Sequence, residues 1–167
     1  MDILFENSYE RSKEVIKELY RKIYFRRPLN LVIYVVLGCI AVLNIVKALY
    51  GMNFSFGGCV YVILFFLMQL VMCRNSVSTA MAREREKFGP ETLKVRTLVT
   101  QEGIQSFYGE KTAEPIPFSQ IKKVWITKNL ILLHTRSRLM LIFHKNNFTV
   151  GTQEEFLKYL RENGLKV

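Results

Sequence analysis

The stretch LNLVIYVVLGCIAVLNIVKALY at residues 29–50 is followed, after GMNFS at 51–55, by FGGCVYVILFFLMQLVMC at 56–73. Only Asn30, Gly38, Asn44 and Lys47 interrupt the first run, and Gln69 is the one strongly polar side chain of the second. As helices they reach roughly 33 Å and 27 Å, against a hydrocarbon core of about 30 Å. Neither carries a polar stripe to face water, which a pair of helices in a soluble bundle would need. The short link, with glycines at 51, 57 and 58, makes the two helices antiparallel neighbours. The expected element is therefore a two-helix transmembrane hairpin over 29–73.

The flanks orient this hairpin. Lys17, Arg21, Lys22, Arg26 and Arg27 precede the first helix, and Arg74, Arg83, Arg85 and Lys87 follow the second. The link has no charge, and Lys47, near the outer end of its helix, can snorkel outward. Under the positive-inside rule both termini are then cytoplasmic. Asn44, Lys47 and Gln69 are the candidates for contacts between helices inside the membrane. Gly38, Ala41 and Ala48 offer a small-residue flank for close packing. Two helices alone cannot enclose a pore.

Outside the hairpin the composition is ordinary. Residues 29–73 hold 35 of the 83 apolar residues, and the other 122 positions hold 48, close to a globular average. Cys39, Cys59 and Cys73 all lie in the apolar block without a C-x-x-C pair, so neither a zinc site nor a disulfide framework is expected. The first apolar run starts late, exceeds a secretory h-region and lacks an A-x-A-like end, so the chain is expected to be retained whole.

Before the hairpin, residues 1–28 read as a cytoplasmic N-terminal segment. From Tyr9 to Phe25 its apolar residues Val15, Ile16, Leu19, Tyr20, Ile23 and Tyr24 recur in steps of three and four, the pattern of an amphipathic helix. That stripe can lie on anionic headgroups or pack on the rest of the protein. After the hairpin, residues 74–90 lack internal breakers until Gly89-Pro90 and continue the second helix as a juxtamembrane helix, which can pair with the first segment.

Residues 91–167 form the cytoplasmic domain. The period changes to strand alternation at 93–99, and further strands are expected at 104–108, 121–127, 130–135 and 139–144. Residues 109–117, with two prolines, read as a loop. Lys128-Asn129 and Arg136-Ser-Arg138 are tight turns. Thr152 with Glu155 forms a capping box, and Asn163-Gly164 ends the helix that follows. The order is a five-stranded meander and one helix.

Thr100-Gln-Glu-Gly-Ile104, Phe118-Ser-Gln-Ile-Lys-Lys-Val124 and Leu141-Ile-Phe-His-Lys-Asn-Asn-Phe148, with Glu155-Phe156 and Leu160, are similar to the YcxB-like family of small bacterial membrane proteins. The resemblance implies two transmembrane helices, a C-terminal domain like the bacterial pleckstrin-homology (PH) fold, and a bacterial cytoplasmic membrane. Phe118 supplies the aromatic residue that the family places before its Ile-x-Lys-Val strand. The family's Pro-Lys pair reads His144-Lys145 here. The resemblance implies no catalytic residue. The loop that PH folds use for lipid would be Gln101-Glu102-Gly103, which is short and acidic, so headgroup binding is not expected there. The fold class is thus α+β, with a transmembrane hairpin and a small PH-like β-barrel or sheet capped by a C-terminal helix.

No P-loop, GxSxG or GxGxxG occurs, and no cofactor or enzymatic activity is expected. His134 and His144 lie ten apart on adjacent strands without a third ligand, so no metal is expected. Trp125 reads as a packing anchor. Residues 93–167 hold 12 basic and 6 acidic side chains, a net +6 of the chain's +10. Lys122, Lys123, Lys128, Arg136, Arg138 and Lys145 lie on three consecutive strands and their turns, a candidate face for anionic phospholipid or a protein partner, or else a solvated surface. Nucleic acid is not expected, since no aromatic interleaving accompanies the charge. Five strands are few for a closed PH barrel, which leaves an edge to be completed by a second copy or a partner's strand. The functional expectation is a membrane-tethered interaction or regulatory module. Its alternative is an accessory subunit of a transporter or channel acting through the helices.

Overall fold

The computed structural model describes residues 2–25, 28–51, 56–89 and 92–165, with the backbone alone at 28, 29 and 56–59. Arg26, Arg27, the link residues 52–55 and Pro90, as well as the side chain of Cys59, lie outside that description. The chain forms two compact units, residues 1–15 with 83–167, and residues 16–82. The fold class is α+β, with antiparallel sheets. Its elements are β1 (Phe5–Glu10), α1 (Lys13–Phe25), α2 (Pro28–Leu49), α3 (Phe56–Phe88), β2 (Lys94–Val99), β3 (Ile104–Tyr108), β4 (Lys111–Thr112), β5 (Ile121–Ile126), β6 (Leu130–Thr135), β7 (Met140–His144), β8 (Phe148–Val150) and α4 (Gln153–Glu162).

The first unit corrects the five-strand meander. It has a five-stranded sheet in the order β4-β3-β2-β1-β8 and a three-stranded sheet in the order β5-β6-β7. The added interior strand is β1, from the N-terminal segment in which only a helix was expected. It pairs antiparallel with β2 from Phe5↔Val99 to Glu10↔Lys94, and with β8 at Glu6↔Val150 and Asn7↔Phe148. The place reserved for another copy's strand is thus taken by the chain's own N-terminus. Helix α1 begins only at Lys13.

Phe5, Asn7 and Tyr9 alternate inward along β1 and are all buried. Phe5 joins Val99, Ile104, Phe143, Phe156 and Leu160 in the core. The Phe143 and Phe156 rings lie 4.7 Å apart, and those of Phe5 and Phe156 5.4 Å. Gly151 makes room for Phe5. Its φ is +73°, and a Cβ there would come within 2.5 Å of Phe5 Cδ1, so only glycine meets both demands.

Asn7 performs a second task. Its Nδ2 donates to His144 O at 2.8 Å, and its Oδ1 accepts from His144 N at 3.0 Å. His144 faces Leu130 across one edge of β7. On the other edge the Asn7 side-chain amide stands in for a neighbouring strand and satisfies both backbone groups. Ser8 N adds a bond to Asn147 O at 3.0 Å. The two sheets are therefore clasped together at β1, without forming one continuous closed ladder.

Strand β6 is the most buried. Ile131 and Leu133 enter the core, while Leu130 and Leu132 on the opposite face are also fully buried, which accounts for a continuous apolar run rather than an alternating one. Helix α4 starts on the expected capping box, with Glu155 N donating to Thr152 Oγ1 and Thr152 N donating to Glu155 Oε2.

In the second unit α2 and α3 are long enough and apolar enough to cross a membrane. Much of their apolar surface is exposed, including Leu31, Val35, Leu43, Leu49, Ile63 and Leu67. Tyr34 on α2 meets Phe65 on α3 edge to face, with ring centroids 6.0 Å apart. Helix α1 runs beside α3, where Tyr24 OH and Ser76 Oγ share a hydrogen bond of 2.8 Å and Phe25 meets Phe66. The α1 residues Val15, Ile16 and Leu19 are buried in the protein, so packing accounts for the α1 stripe. The Asn30 side chain near the start of α2 donates to Tyr24 O near the end of α1.

Candidate functional site

The six expected cations do not form one patch. The three-stranded sheet divides them between its ends by register alone. Ile121 pairs with Thr135, and Arg136 N donates to Gln120 O at 2.8 Å. These pairings bring the start of β5, with Lys122 and Lys123, beside the β6–β7 turn carrying Arg136 and Arg138. All four are exposed. At the other end, Lys145 N donates to Asn129 O and its Nζ to Thr127 O at 2.6 Å. Lys145 is partly buried in that bond, and only Lys128 of that pair is exposed.

A signal present in the sequence sharpens this division. Between Pro115 and Gln153 there is no acidic residue, while all six cations lie there. The six acidic residues of 93–167, Glu102, Glu110, Glu114, Glu154, Glu155 and Glu162, fall before or after that interval. The net charge of the domain therefore belongs to one sheet and its turns.

The β6–β7 turn is held firmly. Thr135 is fully buried, and its Oγ1 accepts from Leu139 N at 2.9 Å and donates to Leu139 O at 3.1 Å. Thr135 N also donates to Leu139 O, and Arg138 N to Thr135 O. Arg138 has φ +65°, a left-handed conformation that costs a side-chain-bearing residue and suits glycine. Leu139 beside it is 56% exposed. The tip thus presents two guanidinium groups and one bare leucine on a stiff frame.

The histidines are separated by the same register. His134 faces Met140 and His144 faces Leu130, four positions along the ladder, or roughly 13 Å. They cannot share an ion directly. Among the described residues no group of three or more His, Cys, Asp or Glu is placed to hold a metal. His144 stacks at 6.5 Å on Tyr9. Burial holds the Tyr9 phenol well above its ordinary value, with the Arg11 charge opposing and Tyr108 and Glu84 reinforcing the shift. Arg11 itself pairs with Glu84 at 2.7 Å. Trp125 is half-buried and meets the His134 ring at 5.7 Å, so it packs at the sheet surface and not within the core cluster.

Of the basic flanks, Lys17 and Arg21 are exposed on α1 and Lys22 is half-buried. Arg74, Arg83, Arg85 and Lys87 are exposed on α3. Of the helix-contact candidates, Asn44 donates to Ile40 O of its own helix at 2.9 Å. That bond is local to α2. Lys47 is exposed in the last turn of α2. Gln69 is buried, and its Oε1 has no hydrogen-bond partner among the described residues. Close packing at Gly38 is not found, since a Cβ there would meet nothing within 4 Å.

An α+β protein with two helices apolar enough to span a membrane, and a cationic sheet clasped by its own N-terminal strand, is the class these features define. Within it, a profile of the family described as YcxB-like protein matches residues 99–160, which shows the resemblance read from the three motifs. The match runs from the last residue of β2 to Leu160 in α4, and leaves β1 and the helices α1 to α3 outside it. No curated protein and no solved structure matches the chain.

Proposed function

We propose that this is an integral membrane protein whose α2–α3 hairpin tethers a cytoplasmic interaction or regulatory domain, with both termini in the cytoplasm. The observation that carries the reading is the insertion of β1 between β2 and β8. The segment before the first apolar helix and the segment after the second are strands of one sheet, so both ends of the hairpin return to the same side. The exposed apolar surface of α2 and α3 far exceeds what a soluble chain leaves uncovered. The basic residues at both ends of the hairpin, against an uncharged link, support a cytoplasmic location for that side. Partners of such a module are read from charge, and an anionic surface is the class its three-stranded sheet suits.

The test is labelling of intact cells with a membrane-impermeant maleimide. Cys39, Cys59 and Cys73 are replaced by alanine, and single variants Asn53→Cys and Ser137→Cys are compared. Position 53 reacts from outside and position 137 only after the cells are opened. Equal labelling of both in intact cells would sink the proposal.

A further inference from the structure

The cleft between Leu4, Gly151 and Tyr159 is open to solvent, and Gln69 Oε1, without a hydrogen-bond partner among the described residues, is a single atom. The end of the three-stranded sheet carries more. We propose that the β6–β7 tip, Arg136-Ser-Arg-Leu139, docks the domain on an anionic phospholipid surface, with Lys122 and Lys123 supporting it. This rests on the reading of the chain as membrane-anchored.

Four observations converge on that surface. Lys122, Lys123, Arg136 and Arg138 are brought to one end of the sheet and all are exposed. No acidic residue occurs between Pro115 and Gln153 to neutralise them from their own strands or turns. The turn is fixed by Thr135 through both its hydroxyl and its backbone, so the backbone that carries the two arginines has little conformational freedom left to lose. Leu139 is exposed at 56% directly beside them.

The combination selects the partner. Arginine forks match phosphate oxygens in two-point contact, and a bare leucine gains by entering the boundary between headgroups and acyl chains. Arg138 occupies a backbone conformation that stability alone would give to glycine, the kind of outlier that marks a functional position. An acidic groove on a protein would suit the arginines but leave the convex, apolar-tipped turn without a reason. A nucleic acid would call for stacking groups, and the tip has no aromatic residue. Tethering completes the argument. A domain linked to the bilayer meets its surface at high effective concentration, so a contact too weak to recruit a free protein is enough to dock this one.

The experiment uses the full chain in proteoliposomes. Cys39, Cys59 and Cys73 are replaced by alanine, and an environment-sensitive fluorophore is attached through Ser137→Cys. Quenching by brominated lipid is compared in phosphatidylcholine vesicles with and without phosphatidylglycerol. Quenching should rise at least about threefold with the anionic lipid and fall as salt is raised. The pair Arg136→Gln with Arg138→Gly, whose glycine suits the φ there, should abolish the rise while leaving the domain folded by circular dichroism. A probe at Leu43→Cys in α2 reports anchoring independently. Quenching at 43 with none at 137 overturns the docking and leaves the anchor standing, and absence at both removes the anchor as well. A probe at 137 that ignores anionic lipid yet crosslinks to a protein in native membranes overturns the proposal in favour of a protein partner.

Discussion

The two sheets of the domain are built in opposite ways. The three-stranded sheet is a local meander, β5 to β7, joined by turns of a few residues, and with its turns it carries the cations and no acid. The five-stranded sheet joins β1 to strands nearly ninety positions or more away in the chain, and its ladders mix charges, as in the Glu6–Arg96 pair at 2.7 Å. One sheet presents a surface, and the other ties the two ends of the chain together. Both sheets line the core, yet the exposed cations and the tie between the chain's two ends lie on different strands, so each feature can be altered separately.

The largest expected effect comes from removing residues 2–12. Strands β2 and β8 would lose their common neighbour, Phe5 would leave the core, and Asn7 would leave the β7 edge. A fragment starting at residue 92 should then show no cooperative thermal transition by circular dichroism. The same fragment with residues 2–12 fused ahead of it through a flexible linker should regain one. A cooperative transition in the shorter fragment would show that the domain folds without β1. Next in size is Asn7→Ala, which leaves the half-buried His144 N–H and carbonyl without their side-chain partner. Because water can reach part of that edge, the substitution should cost about 1–3 kcal/mol, read from denaturant midpoints.

The contrast also explains what could be read from the sequence. The meander, the capping box at Thr152 and both apolar helices were legible, because local periodicity and turn chemistry decide them. Strand β1 was not. Its inward positions are Phe5, Asn7 and Tyr9, and a buried asparagine at the centre breaks the apolar alternation. Its partners are contributed by the far end of the chain, where no local pattern points to it. The short β8 was missed because three residues carry too little period. The cationic candidates were legible as residue types, but their division into four and two depends on strand register, which places Lys122 beside Arg136 and Lys145 beside Thr127.

A pH experiment probes the tying sheet at Tyr9. Burial raises its phenol above the ordinary value, so the folded state keeps a proton that the unfolded state releases above about pH 10. The group is neutral in both states below that, and stability is unaffected there. Above it the folded state holds more protons than the unfolded one, and stability should fall by up to about 1.4 kcal/mol per pH unit. Tyr9→Phe should remove that slope between pH 10 and 11.5. An unchanged slope in the variant would assign the alkaline loss to other groups.

The smallest effect is the most informative about the presenting sheet. Arg138 makes no ion pair among the described residues and holds φ at +65°. Glycine adopts that conformation without a Cβ penalty, so Arg138→Gly should leave stability unchanged or raise it by up to about 1 kcal/mol. The Thr135 bonds that define the turn involve its own hydroxyl and Leu139, not the Arg138 side chain. A stabilised variant that has also lost its response to anionic lipid would separate the two tasks at a single position. The arginine would then be retained against stability, because the surface it serves lies outside the fold.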